Sequence, residues 1–194
     1  VEALVEKGCR RIGLWIPIGV GIGRRDGEDS FRERGAWQQT LKKHGLEADE
    51  NLVWRDREHT DQTPQGQTAQ GARETNQAQG LRAARETFGQ KKSATSSTRL
   101  PDGIVIDDDM MTRGALTYLG QHGIRVGEDV QIATHLNRGS DVLLGHEDEL
   151  SLVEIDLAEM AQAMFETLET LMRGENPAND VIEIQPKLRS HRTA

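Results

Sequence analysis

Short apolar runs, bounded by glycine, proline or acidic residues, alternate along this chain with longer stretches of helical period. No other feature restricts the fold as much. Arg10–Ile18 ("RRIGLWIPI") is a continuous apolar run of strand length, closed by Pro17 and glycines. Val1, Leu4 and Val5 before it lie on one helical face, and Gly8 is a helix stop. After it, "DSFRERGAWQQTLKKHGL" puts Phe31, Trp37, Leu41 and His44 near one side of a helix, with Gly45 past its end. "NLVW" reads as a short strand and "QGLRAARETF" as a short helix with Leu81, Ala84 and Phe88 in phase. "DGIVIDDD" is a strand with an acidic carboxyl end, followed by a helix bearing Met111, Ala115 and Leu119 and stopped by Gly123. "EDVQIATHL" and "VIEIQPKL" are further strands. Between them, Leu157, Met160, Ala161, Met164, Leu168, Leu171 and Met172 form one stripe, with Asp156 as N-cap and Gly174 as stop. Strands alternating with helices imply an α/β fold, a doubly wound parallel sheet with helices on both faces. Such sheets take ligands beyond the carboxyl ends of their strands, at the switch point.

The rhythm breaks once. Residues 55–80 contain no Val, Ile, Leu, Met, Phe, Trp, Tyr or Cys and are rich in Gln, Thr and Gly. Such a segment cannot bury much and is expected to be an exposed loop or insertion. The chain has 194 residues and a net charge of -8, from 32 acidic against 24 basic side chains. That balance argues against nucleic-acid binding by the chain as a whole. The single cysteine, Cys9, excludes an internal disulfide and a CxxC zinc site. Neither a secretory leader nor an apolar run of membrane-spanning length is visible, so the expected compartment is the cytoplasm and no membrane partner is expected.

Candidate chemistry sits at the strand ends. Gly19–Arg25 ("GVGIGRR") invites a dinucleotide loop, but GxGxxG needs glycine where Arg24 stands, and no GK[ST] follows. Asp107, Asp108 and Asp109 end a strand. They could hold a divalent metal, receive ligand hydroxyls, or cap the next helix. Arg32 and Arg34, in the first turns of a helix, could reach a ligand oxygen or simply be solvated. His135, with Asn137 after it, is a polar contact at a strand end or a satisfied structural histidine. Ser140 and His146 have no spacing that makes them a catalytic pair. Cys9, beside Arg10 and Arg11, is either activated by cations or an inert buried thiol.

Five segments together resemble regulators of the lactose-repressor (LacI/GalR) type. "VEALVEKGCRRIGLWIP" is similar to the family's "LxxxGHRRIxxI", with Cys9 in the histidine place. "FRERGAWQQTLKKHGL" resembles "RxxGFxxALxxxGI", and "PDGIVIDDDMMTRGAL" resembles "PTAIxxxNDxMAxGAL". "GIRVGEDVQIAT" resembles "GIxVPxDVxVxG", and "LSLVEIDLAEMAQAMFETLETLMRGE" resembles "LTTIxxDxxxMGxxAxxxLLxxIxG". The matches keep family order and omit little besides residues 55–80. The resemblance implies a periplasmic-binding-protein-like, two-lobed sensing domain that is not catalytic and carries no cofactor or metal. Residues 1–150 would be the second lobe, with an insertion at 55–80. Residues 151–194 would be the helix crossing to the first lobe and a returning strand. The DNA-binding headpiece and most of the first lobe would be absent from this chain. The Leu157–Met172 stripe would then pack on another chain or be poorly anchored.

By the same resemblance, Arg32 matches the family's ligand-contacting arginine, and Asp108 the polar residue before the family aspartate, matched by Asp109. His135, Leu136 and Asn137 occupy the places where many family members have an aromatic followed by an acidic pair. Leu136 cannot accept a sugar hydroxyl, which leaves His135 or Asn137 to replace that contact. The implied ligand is a small sugar-like effector. Operator DNA would be contacted only through the headpiece, and the assembly would be a homodimer. Two alternatives stand beside this reading: a periplasmic sugar-binding protein of a transport system, and a small metal-dependent enzyme using Asp107–Asp109.

Overall fold

The computed structural model describes residues 1–17, 28–55, 74–89, 100–179 and 181–190. In chain order the elements are α1 (Glu2–Glu6), β1 (Ile12–Trp15), α2 (Glu28–Lys43), a 3-10 turn (Glu50–Leu52) leading into β2 (Val53–Trp54), α3 (Asn76–Phe88), β3 (Gly103–Ile106), α4 (Asp109–Gln121), β4 (Gln131–Asn137), β5 (Leu150–Ile155), α5 (Leu157–Met172) and β6 (Lys187–Ser190). They form one sheet in the order β2-β1-β3-β4-β5-β6. The first five strands are parallel, and β6 runs antiparallel along β5. The expected doubly wound α/β sheet is thus present, with one antiparallel edge.

Side-chain alternation divides the core into two layers. Ile12, Leu14 and Ala133 face α1 and α2, where Leu4, Trp37 and Leu41 cover them. Trp15, Trp54, Ile104, Ile106, Ile132 and Leu136 face α3 and α4, meeting Ala83, Ala84, Met111, Ala115 and Leu119. Trp37 is buried, and its indole N–H donates to the Ile12 carbonyl at 3.2 Å, so its polar atom is satisfied inside the core. His44 departs from the predicted stripe. It lies past the end of α2 at the surface, 3.8 Å from Glu2, while Gly45 takes the left-handed conformation (φ 68°) that ends the helix.

Helix α3 begins inside the segment expected to be loop. Thr75 caps it, accepting from the Ala78 N–H at 3.2 Å. Its packing uses an absence of side chain. A Cβ on Gly80 would lie 1.8 Å from the Met111 carbonyl oxygen of α4. A Cβ on Gly114 of α4 would lie 1.8 Å from the Gln77 carbonyl oxygen of α3. The two backbones touch directly, so no apolar residue was needed at 76–80 to mark a helix. The Val181–Leu188 strand is also revised: only Lys187–Ser190 pairs, and 181–186 lie outside any strand. Strand β5 adds an element that the apolar rhythm does not set apart.

Helix α5 has its predicted bounds and cap, with Asp156 accepting from the N–H groups of Ala158 and Glu159. None of its residues is buried. Met164 and Phe165 are each 67% exposed and Met172 79%. Its stripe therefore has no covering layer among the described residues.

Candidate functional site

Strand order reverses between β1 and β3. From β1 the chain moves outward through α2 to β2, then returns through α3 to β3 on the opposite side of β1. The crevice above the carboxyl ends of these two strands is where a doubly wound sheet receives ligand. Trp15, Ile16 and Pro17 close β1, and the Asp107 N–H donates to the Trp15 carbonyl at 3.0 Å, locking the two strand ends together. The "GVGIGRR" loop, Gly19–Arg25, lies outside the described residues.

Asp108 is the centre of this edge. One carboxylate oxygen accepts the Met111 N–H at 2.7 Å, which makes Asp108 the N-cap of α4. The other accepts from the Asn76 side-chain amide at 2.8 Å. The carboxylate is thus fixed by α3 and α4 together. Asn76 is a residue that the sequence reading did not find. It lies in the apolar-free stretch, and its only local signal is its place just after the capping Thr75. Asn76 Oδ1 is buried and has no hydrogen-bond partner. Below Asp108, Thr112 Oγ1 donates to the Asp108 carbonyl and lies 2.9 Å from Thr134 Oγ1, tying α4 to β4.

Asp109 sits in the first turn of α4, where a carboxylate meets the positive end of the helix. Among the described residues no group of three Asp, Glu, His or Cys side chains is placed to hold a metal ion. Asp108 and Asp109 instead accept the backbone N–H groups of Met111 and Met110 at the start of α4.

His135 and Asn137 end β4 on the same sheet edge. His135 and Asn137 are half-buried and alternate with the buried Leu136, so they fall on the α1/α2 side of β4. Leu136 is core, in keeping with its inability to contact a hydroxyl. Arg32 is exposed near the start of α2. Arg34 forks onto Glu50 and Gln38 shares that carboxylate, so Arg34 braces the turn before β2 rather than a ligand. Two positions away on a helix is about 200° of rotation, so Arg32 leaves on the other side. Among the described residues, no hydrogen bond or ion pair joins any two of Arg32, Asp108, His135 and Asn137. Arg138 follows Asn137 and reaches Asp156 at 2.6 Å, linking the end of β4 to the cap of α5.

The family model described as periplasmic binding protein-like domain matches residues 1–193. Among solved structures, the transcription regulator CcpA of Lactococcus lactis is similar at 19% identity and TM-score 0.67, over 97% of this chain and 57% of its own. A regulatory protein of the LacI family from Chloroflexus aggregans is 21% identical at TM-score 0.69, over 99% of this chain and 58% of its own. A LacI family regulator from Lactobacillus casei, solved with bound sucrose, is 17% identical at TM-score 0.64, over 100% of this chain and 60% of its own. No curated protein matches the sequence. This chain therefore spans a little over half the length of those structures, and at these identities the likeness establishes the fold. With its family match running over 1–193, the chain belongs to the periplasmic binding protein-like domain family.

Proposed function

We propose that this chain is the effector-sensing part of a transcription regulator of the lactose-repressor type, binding a small sugar-like molecule at the β1/β3 switch point. The observation that carries the reading is the polar edge built there: Asp108 held between α3 and α4, with His135 and Asn137 on the neighbouring strand. Carboxylate and amide oxygens accept, so they suit a ligand rich in hydroxyl donors. Arg32 supplies a donor from α2. No covalent step, cofactor or metal enters this role. Residues 1–150 correspond to the second lobe and 151–194 to the crossing helix and return strand. Operator DNA is met through a headpiece outside these residues, the working unit is a homodimer, and the protein acts in the cytoplasm. No helix among the described residues is long and apolar enough to cross a membrane.

The mechanism is a shift between two lobe arrangements. An effector moves that equilibrium only by its differential affinity for the two states, and the same coupling acts back from DNA on effector binding. Calorimetric titration with a panel of mono- and disaccharides, sucrose and cellobiose included, tests the assignment. Saturable binding by at least one sugar is expected, weakened by Arg32→Ala and by Asn137→Ala with unchanged melting temperature. Loss of one hydrogen bond from such a site lowers affinity roughly ten-fold. A panel without any binder overturns the proposal. Unchanged affinity in Arg32→Ala removes that arginine from the site.

A further inference from the structure

We infer that Asn76 is a positioning residue of this site, holding the Asp108 carboxylate in the orientation that receives a hydroxyl donor of the ligand. The inference rests on the sensing role proposed above and adds a residue to it. Asn76 opens α3 and Asp108 caps α4, and the two are joined by a hydrogen bond of 2.8 Å across 32 positions of sequence. A carboxylate accepts and does not donate, so the amide can only present its Nδ2 to Asp108. Its Oδ1 is thereby fixed on the other side, where it is buried without a partner.

A buried acceptor without a donor is unfavourable, and such atoms are few in folded proteins. An apolar side chain at position 76 would avoid that term. What asparagine supplies in exchange is a donor to Asp108, beyond the Met111 N–H that already makes the helix cap. The cap needs one carboxylate oxygen; the second oxygen is steered by Asn76 alone among the described contacts. The close backbone contact of α3 with α4 at Gly80 and Gly114 fixes the distance over which this bond forms. Asn76 thus makes the rotamer of Asp108 depend on the α3/α4 packing rather than on solvent. A ligand hydroxyl then meets a carboxylate already in place, which avoids the entropy of ordering it on binding.

A double-mutant cycle on saccharide affinity tests this in the full chain, using the sugar that binds best in the panel above. Asn76→Ala is expected to weaken binding at least ten-fold in the wild-type background. In Asp108→Ser, which keeps an acceptor for the helix cap but lacks the second carboxylate oxygen, it is expected to add less than two-fold, because Asn76 acts through that carboxylate. Asn76→Ser serves in the same cycle if the alanine variant does not fold. Equal losses in both backgrounds would mark Asn76 as merely structural and overturn the inference, as would wild-type affinity in a folded Asn76 variant. In either case the sensing role survives. If the wild-type protein binds no sugar of the panel, the sensing role falls and this inference with it.

Discussion

Cys9 stands beside two arginines in sequence and beside Asp102 in space. Arg10 and Arg11 donate their backbone N–H groups to the Asp102 carboxylate at 2.8 to 3.0 Å, which holds that negative charge close to the thiol. Burial, first, and then Asp102 push the Cys9 thiol up to about 11. The thiol is therefore inert, not activated. Iodoacetamide at pH 8 is expected to leave the native protein unlabelled and to label it fully in denaturant, read by intact mass. The sign of the pH effect follows. The raised value favours the folded state below the ordinary thiol value of 9.0, and that contribution is lost as pH rises from about 9 to about 11. Ser151 is the opposite kind of residue. It is fully buried between β4 and β6, and its hydroxyl has no partner. Ser151→Ala is expected to be neutral or to stabilise by about 1 kcal/mol, measured by urea unfolding. A loss of more than that would reveal a hydrogen bond to the hydroxyl.

Helices α3 and α4 depend on two glycines at their crossing. Gly80→Ala or Gly114→Ala would force a methyl against a backbone carbonyl, which no side-chain movement relieves. Separating the helices should cost about 1–3 kcal/mol or more, and should also pull Asn76 away from Asp108. Lower stability together with weaker sugar binding is the expected pair of results. Elsewhere in the fold, Trp37 carries much of the α2 contact, and Trp37→Ala is expected to cost about 3–5 kcal/mol. Helix α5 contrasts with both. Its stripe is exposed along the whole length, from Leu157 at 49% to Met172 at 79%. With few buried contacts to lose, it should be the first helix to exchange its amide hydrogens, while α4 is protected to near the global limit. Mass-spectrometric hydrogen exchange reads this directly. Slow exchange across 157–172 would show that the stripe is covered in solution.

At the scale of the whole molecule, the chain carries a net charge of -8. Acid stability has a local handle in the turn before β4. There Asp129 is held at about 2 by the Arg125 side chain and backbone N–H. A lowered carboxyl value stabilises the fold above the ordinary 3.8, and that contribution disappears as pH falls toward 2. The Asp129→Asn variant is expected to lose part of the wild-type protein's decline in stability over that window.

The sequence alone determined what depends on near neighbours. The alternation of strands and helices, the cap at Asp156, the stops at Gly8, Gly45, Gly123 and Gly174, and the two buried faces all follow from periodicity and capping chemistry within a few residues. So did the sheet edge on which Asp108, His135 and Asn137 lie. What remained hidden depends on how distant elements meet. The start of α3 is set by backbone contact through glycines, which carries no apolar signature. The antiparallel β6 is chosen by the register available along β5, the thiol of Cys9 by burial and by Asp102, 93 positions away, and the orientation of Asp108 by an asparagine 32 positions away. Propensity acts along the chain, whereas hydrogen bonds and desolvation act through space, and only the tertiary structure decides which of them a side chain meets.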